Sequence, residues 1–242
     1  MTNIPLKSAR RLLESVAFLN FCHGETLNGL LTVNFEQLGV DGEQEAKAAL
    51  TSINQMIARK LREFAIKENV GAGEHHYVYA HECNSTHGWH VHELVVIDQD
   101  LRFEVGQWLK TWVARNFPNA DEKAVHFRPS MLHHRDRDAI DDQTRMVGYI
   151  LKTTVPGLVE DREGQLRPLH DVLGLKRIAD SQDFDIIRPT GSSQSISRRA
   201  QLDAGFVAPR NWDDLLSNKM LYAHRAGQTA QDLYRQLLAI GA

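Results

Sequence analysis

The sequence predicts an α+β fold in which helices flank a central antiparallel sheet, followed by a C-terminal extension. Three observations support this prediction. Strand-forming segments occupy the centre of the chain, amphipathic helical segments flank them, and the periodicity weakens beyond Pro156. We therefore expect a first domain over residues 1–155, with helices covering one side of its sheet, and an extension over residues 156–242.

Apolar periodicity and turn residues place the individual elements. The predicted strands are residues 29–35, 77–83, 89–97 and 123–128. The predicted helices are residues 42–68, 101–113, 138–153 and 228–240. Asp41, with Gln44 three residues later, predicts a capping box at the start of the first helix. The turn-prone segment 84–88 joins the second and third strands, which we expect to form a hairpin.

Composition excludes several classes of protein. The chain has 242 residues, 42% of them hydrophobic and 24% charged, and no run of 18 apolar residues that could span a membrane. Its two cysteines, Cys22 and Cys83, have no paired spacing, which favours a reducing, cytoplasmic location over a disulfide framework. The net charge of −3 means that any contact with nucleic acid must come from a local basic patch.

Glu82, His90 and His92 form the most informative pattern in the chain. Side chains alternate along a strand, so His90 and His92 point to the same face. In a hairpin with its turn near residue 86, Glu82 lies opposite one of these histidines on that face. Two imidazoles and a carboxylate with open positions suit a catalytic divalent metal. His81 is an alternative third ligand, but it has the opposite parity on its strand.

The segment around these residues resembles the HUH endonucleases. Glu82 is followed by a short loop, and residues 88–92 then read Gly-Trp-His-Val-His. This pattern is similar to the metal motif of plasmid and phage rolling-circle replication initiators. Residues 30–35, Leu-Leu-Thr-Val-Asn-Phe, resemble the apolar strand that precedes that motif in the family. The resemblance covers roughly residues 29–153. It implies a nuclease domain with an RRM-like palm and a Mn²⁺ or Mg²⁺ cofactor.

Tyr149 is the predicted nucleophile. The family carries a tyrosine in a helical Tyr-x-x-Lys motif, which Tyr149 and Lys152 match. On the predicted helix Tyr149 falls opposite the apolar side and is flanked by Arg145 and Lys152, one turn away on either side. Nearby positive charge favours the phenolate and steadies a phosphate. The resemblance therefore implies that Tyr149 and Lys152 are catalytic.

The activity that the resemblance implies is site-specific nicking and rejoining of single-stranded DNA, which initiates rolling-circle replication. A 5′-phosphotyrosine intermediate leaves a free 3′ hydroxyl. No second tyrosine lies one turn from Tyr149, so we expect one attachment per protomer. The second strand transfer would use the 3′ hydroxyl, another protomer, or a water activated by a carboxylate such as Glu93.

Basic residues indicate where the DNA would bind. The predicted contacts are Lys123, Arg128, Arg135, Arg137 and Arg145. A weaker basic segment from Arg188 to Arg199 lies in the extension, which we expect to bind DNA or to pack on the first domain. The expected partner is single-stranded DNA, such as an origin hairpin. We expect no association with a membrane. The chain has no Walker A motif, so unwinding would need a host helicase.

Other functions share parts of this pattern. A single-tyrosine transposase or a relaxase would use the same chemistry. Such transposases tend to end soon after the tyrosine helix, whereas about 90 residues follow it here. Relaxases usually place the tyrosine before the histidines, whereas Tyr149 follows them. A metallohydrolase that uses water would keep the metal site and make Tyr149 incidental. A DNA-binding repressor on a decayed nuclease scaffold is disfavoured by the complete set of catalytic residue types.

Overall fold

Antiparallel strands form the centre of the protein. A computed structural model describes residues 4–68, 74–85, 88–130, 139–174, 188–217, 219–229 and 232. The strands are β1 (Gly29–Asn34), β2 (Tyr77–Asn84), β3 (Gly88–Val95), β4 (Val125–Pro129), β5 (Leu158–Glu160), β6 (Leu166–Pro168) and β7 (Thr190–Ser192). Five of them form the main sheet in the order β4-β1-β3-β2-β7, and β5 pairs with β6 separately. All of these pairings are antiparallel, so the predicted α+β class with an antiparallel sheet is confirmed.

Eight α-helices are described alongside the sheet. They are α1 (Leu6–Phe18), α2 (Glu43–Lys67), α3 (Glu104–Asn116), α4 (Ala139–Ile150), α5 (Leu169–Val172), α6 (Arg198–Asp203), α7 (Trp212–Leu216) and α8 (Lys219–Arg225). Within the described part of the chain, none of these helices has both the length and the apolar composition needed to cross a membrane. The helix predicted over residues 228–240 lies almost entirely outside the described residues.

Helices cover both faces of the main sheet. On one face, Val91 and Val95 of β3 pack with the buried sides of α2 and α3. On the other face, Leu94 packs in a second cluster with residues of α1 and α4. The expectation that helices cover only one side is wrong. The strand β3 has buried apolar side chains on both of its alternating faces, Leu94 on one and Val91 and Val95 on the other, and each face is therefore covered by helices.

The long helix α2 lies within one residue of the predicted range at each end. Its buried side consists largely of apolar residues at helical spacing: Ala46, Leu50, Ile53, Ile57 and Leu61. Its N-cap is Gly42 rather than Asp41, and no side chain caps the helix. The capping-box prediction is wrong because the chain enters the helix through a φ of 119° at Gly42, which glycine adopts far more readily than other residues.

The helix α1 has no counterpart among the predicted elements, although its apolar spacing is visible in the sequence. Leu12, Leu13 and Val16 are buried, and a π-helical turn over Leu19–His23 continues the helix. This apolar side packs against the sheet face that carries Leu94. The first turns of the chain therefore form part of the core.

The C-terminal extension joins the same sheet and core. Its strand β7 pairs with β2, with Thr190 opposite Ala80. The Thr190 hydroxyl donates to the Ser8 carbonyl oxygen of α1 at 3.3 Å. The guanidinium of Arg10 on α1 lies 5.7 Å from the ring centre of Trp212 on α7. The extension thus adds an edge strand next to β2 and packs on α1.

Replacing Leu94 by Ala is expected to lower the free energy of unfolding by about 2–5 kcal/mol, because the substitution leaves a cavity at a fully buried site between β3 and its helices. Urea denaturation measures this loss. The matched control is Leu202→Ala on α6, where Leu202 is 61% exposed. The same truncation there should change the stability by less than about 0.5 kcal/mol. Equal losses in the two variants would contradict the described packing.

Candidate metal centre

Glu82, His90 and His92 converge on one face of the hairpin that β2 and β3 form. Glu82 lies directly opposite His90, and His92 lies two residues further along β3 on the same face. Glu82 Oε2 is 3.5 Å from His90 Nε2 and 3.2 Å from His92 Nε2. One ligand atom from each side chain lies within 4.8 Å of the other two. This cluster could hold a metal ion.

Hydrogen bonds at Nδ1 orient both imidazoles. His90 Nδ1 is 3.0 Å from the carbonyl oxygen of Gly88, and His92 Nδ1 is 2.9 Å from Thr32 Oγ1. The Gly88 carbonyl can only accept, so His90 donates from Nδ1 and its Nε2 keeps a lone pair for a ligand. The Thr32 hydroxyl can accept from His92 in the same way. Such outer partners fix the tautomer of metal-binding histidines.

Gly88, the first residue of β3, sets where the ligand strand begins. Gly88 has a φ of 62°, and a Cβ added there would come within 2.2 Å of the Glu36 carboxylate. The Trp89 backbone N–H donates to Glu36 Oε1 at 3.3 Å. The Trp89 ring lies on the opposite face, 4.7 Å from the ring centre of Phe35. The Gly-Trp pair therefore anchors the strand, and the following His-x-His segment carries the ligands.

Burial and hydrogen bonding set the protonation of the cluster. Burial by itself raises the pKa of Glu82, but its close contacts with His90, His92 and Lys152 outweigh burial and hold that pKa well below its ordinary value. Burial lowers the pKa of His92 to about 4, against the opposing effect of the Glu82 carboxylate. An ionised carboxylate and a neutral imidazole are the forms that bind metal. The donor set of two nitrogens and one oxygen therefore fits a divalent metal ion.

The ammonium group of Lys152 lies against the ligand atoms. Lys152 is two residues beyond the end of α4, and its Nζ is 2.5 Å from Glu82 Oε2 and 3.4 Å from His92 Nε2. This ammonium therefore contacts the same carboxylate oxygen that faces both imidazoles. A divalent ion held by that oxygen would compete with Lys152 for it.

Tyr149 lies at the edge of the same cluster. It is in the last turn of α4 and is 42% exposed, whereas the ligand side chains are buried. The ring centres of Tyr149 and His92 are 4.9 Å apart, and Lys152 Nζ is 3.8 Å from the centre of the Tyr149 ring. The apolar side of α4, with Val147 and Ile150, packs into the core. That packing leaves Tyr149 beside the ligands and open to solvent.

The structure thus brings together five of the residues that the sequence analysis selected: Glu82, His90, His92, Tyr149 and Lys152. Arg145 lies one turn before Tyr149 on α4, with a side chain that is 76% exposed. Its guanidinium pairs with Asp142, in the turn that precedes it.

Lys123 and Arg128 lie at the β4 edge of the main sheet. Arg128 is opposite Leu30 and His126 is opposite Thr32, so both belong to the sheet face that carries His92. Lys123 is exposed in the turn before β4. Arg135 and Arg137, the other predicted contacts in this patch, lie outside the described residues.

Glu93 points to the opposite side of the sheet. It is fully buried and accepts a hydrogen bond from Asn54 Nδ2 at 2.8 Å. Burial raises its pKa to about 8, against the effect of that hydrogen bond. The expectation that Glu93 activates a water near the metal ligands is wrong, because Glu93 and its neighbour His92 face opposite sides of one strand.

Tyr77, Tyr79 and His81 share the face of Glu93. Tyr77 and Tyr79 pack beside the apolar cluster of α2 and α3, and burial raises the pKa of Tyr77 to about 12. His81 Nδ1 accepts a hydrogen bond from Trp89 Nε1 at 3.2 Å. These three side chains are therefore directed away from Glu82.

Two residues beside the ligands were not assigned a role from the sequence. Thr32 contacts His92, and Glu36 accepts a hydrogen bond from the Trp89 backbone N–H at the start of β3. The position of Thr32 in the strand before the metal motif was the available signal. Glu36 gave no local signal, because its partner Trp89 lies 53 positions away.

Comparison with known proteins returns no relative. No protein-family model, no curated protein and no solved structure matches the chain. A function must therefore be argued from the geometry around Glu82 and from the resemblance of the motif.

We expect Mn²⁺ to stabilise the protein, by about 2.7 kcal/mol when the ion is at a hundred times its Kd. His92→Ala should remove this effect because it deletes one ligand nitrogen of the cluster. Differential scanning fluorimetry with and without Mn²⁺ measures the change. The control is His126→Ala, an exposed histidine on the same face of the sheet, which should respond like the wild type. An unchanged Mn²⁺ effect in His92→Ala would contradict the metal site.

Replacing Lys152 by Met should raise the affinity for Mn²⁺ roughly tenfold, equivalent to ~1.4 kcal/mol. The reason is that the ammonium and the ion compete for Glu82 Oε2. Isothermal titration calorimetry measures the Kd. Lys123→Met removes the same charge from an exposed turn and should leave the Kd unchanged. An affinity that falls in Lys152→Met would mean that the ammonium supports metal binding.

Proposed function

We propose that this chain is a metal-dependent nickase that cuts single-stranded DNA through Tyr149 and remains attached to the cut end. The observation that carries the proposal is the convergence of Tyr149 and Lys152 on the ligand cluster, with the tyrosine ring 4.9 Å from that of His92. The resemblance of residues 82–92 to the HUH endonuclease motif supports the same chemistry. We further propose that the reaction initiates rolling-circle replication.

The cluster of Glu82, His90 and His92 would hold Mn²⁺ or Mg²⁺, and such an ion would supply Lewis acidity toward the scissile phosphate. The chain's own part is to hold its ligands in a fixed geometry. The contact of Thr32 with His92 and the Gly88 carbonyl at His90 provide that orientation. Preorganised groups of this kind need little rearrangement as charge develops in the transition state.

Tyr149 is the group that forms the new bond. Its phenol oxygen attacks phosphorus, the P–O3′ bond breaks, and the phosphate stays on the tyrosine as a 5′-phosphotyrosine. The phenol proton passes to solvent, and the departing 3′ oxygen takes a proton to become a hydroxyl. Tyr149 is exposed enough to meet a DNA strand, whereas Tyr77 and Tyr79 pack on the opposite face of the sheet. Among Tyr77, Tyr79 and Tyr149, this position supports Tyr149 as the proposed nucleophile.

Lys152 stabilises negative charge on both sides of the reaction. Its ammonium lies 3.8 Å from the Tyr149 ring centre, where it favours charge that develops on the phenol oxygen. It also contacts Glu82, so a metal ion at that carboxylate would leave Lys152 available to the phosphate. Lys152 thus links the nucleophile to the ligand cluster.

A phosphotyrosine keeps the energy of the broken phosphodiester and allows the strand to be rejoined. The free 3′ hydroxyl can reverse the reaction or be extended, which suits replication better than degradation. Glu93 cannot assist the second transfer because it is buried on the opposite face. The second strand transfer would then use a returning 3′ hydroxyl or the tyrosine of another protomer. A transposase or a relaxase would use the same steps.

The test is to incubate the protein with a labelled pool of single-stranded DNA and Mn²⁺, followed by a denaturing gel and peptide mapping. We expect a covalent adduct at Tyr149. Tyr149→Phe should lower adduct formation by at least about 10³-fold, because it removes the attacking oxygen. Tyr77→Phe removes a hydroxyl from the opposite face and serves as the control.

Each other outcome rejects part of the proposal. Full activity in excess EDTA would exclude the metal requirement. An adduct at Tyr222 or Tyr234, or one that survives in Tyr149→Phe, would show that the nucleophile is wrong. Cleavage without any adduct would favour a metallohydrolase that uses water.

A further inference from the structure

A cleft of about 490 Å³ lies along β7, between that strand, α1 and α6. It is separate from the ligand cluster and has its own set of charged side chains. Those charged lining residues are Arg11, Glu14, Arg188 and Arg198. Three arginines and one glutamate give the lining a net charge of +2, although the whole chain has a net charge of −3. Positive charge is therefore concentrated at this cleft.

Two of these arginines are not neutralised by neighbouring acids. Glu14 is shared between Arg10, at 3.1 Å, and Arg198, at 3.5 Å. Arg11 and Arg188 are exposed, and neither forms an ion pair with any residue in the described part of the chain. An anion that enters the cleft would therefore meet two available guanidinium groups.

The cleft borders the strand that carries Glu82. The edge strand β7 pairs with β2, and the His81 backbone N–H donates to the Pro189 carbonyl oxygen at 2.8 Å. Arg188 directly precedes Pro189, so the register brings it level with Glu82 on the neighbouring strand. Paired strands lie about 4.8 Å apart. A polymer lying over the ligand cluster could therefore continue into the cleft.

The rest of the lining also suits a phosphate backbone. Ser15, Thr190 and Ser192 also line the cleft, and Tyr79 is an aromatic residue among the lining residues. Arginine, hydroxyl and backbone donors are the groups that usually contact DNA phosphates. A basic groove with an aromatic side chain is the common arrangement for binding single-stranded nucleic acid without sequence preference.

We infer that the cleft binds phosphates of the single-stranded DNA that flanks the cut, through Arg11 and Arg188. This role rests on the proposed function, because that function supplies the DNA substrate. The cleft would hold the strand beside the ligand cluster, while Tyr149 performs the reaction. Arg11 and Arg188 are positioning residues in this arrangement.

The test is performed in Tyr149→Phe protein, so that the DNA is bound but not cut. Fluorescence anisotropy with a labelled oligothymidine gives the affinity as a function of salt. Each phosphate contact with single-stranded DNA contributes about −0.7 to the slope of log K against log salt, so Arg11→Ala with Arg188→Ala should make the slope less negative by about 1.4. When salt is raised from 50 to 200 mM, the double variant should therefore lose about sevenfold less affinity for the oligothymidine than protein with both arginines.

Matched variants distinguish an effect of the cleft arginines from a general effect of losing positive charge. Arg62→Ala with Arg115→Ala removes two exposed arginines from the helices α2 and α3, on the other face of the sheet. That pair should leave the slope unchanged. Arg11→Lys with Arg188→Lys keeps the charge and should restore most of the slope. Melting temperatures of all variants confirm that each is folded.

The outcomes distinguish this inference from the proposed function. An unchanged slope in folded Arg11→Ala, Arg188→Ala protein would show that the cleft does not bind DNA phosphates, even if Tyr149 forms an adduct in the wild type. A reduced slope in protein that never forms an adduct supports the cleft and rejects the nickase. If inorganic phosphate binds at low-millimolar concentration only to proteins that retain both arginines, while the slope for the oligothymidine is the same with and without them, the cleft is a site for free phosphate and the inference fails.

Discussion

The antiparallel register of β2 and β3 brings the three candidate metal ligands together. It places Glu82 opposite His90 and leaves His92 on the same face. A slip of one residue would move Glu82 to the side of the sheet that packs on α2 and α3. The left-handed Gly88 and the hydrogen bond from the Trp89 backbone N–H to Glu36 fix the start of β3 and so stabilise this register.

The second constraint is the packing of α4 on the sheet face that carries the ligands. Its apolar residues share a buried cluster with Leu94 and with α1. Because a helix is rigid over one turn, burying Val147 and Ile150 also decides where Tyr149 lies, and Lys152 follows just beyond the end of the helix. The chemistry that we propose therefore depends on a hydrophobic contact that takes no part in the reaction itself.

Charge is distributed so that a net acidic chain still offers cations around the ligand cluster. Arg128 lies at the β4 edge of the main sheet, and Arg188 lies at the β7 edge. The ligand strands β2 and β3 lie between these edges in the order β4-β1-β3-β2-β7. A strand of DNA that crosses the sheet would meet positive charge on both sides of Glu82. Overall net charge averages over this pattern and conceals it.

The local geometry of the site could be predicted from the sequence. Strand alternation placed His90 and His92 on one face, and helical periodicity separated Tyr149 from the apolar side of α4, because side-chain direction repeats within each element. The sequence did not reveal that helices cover both faces of the sheet, that Lys152 contacts Glu82, or that β7 pairs with β2. Those features join residues far apart in the chain, and only the packing of complementary surfaces decides which of them meet.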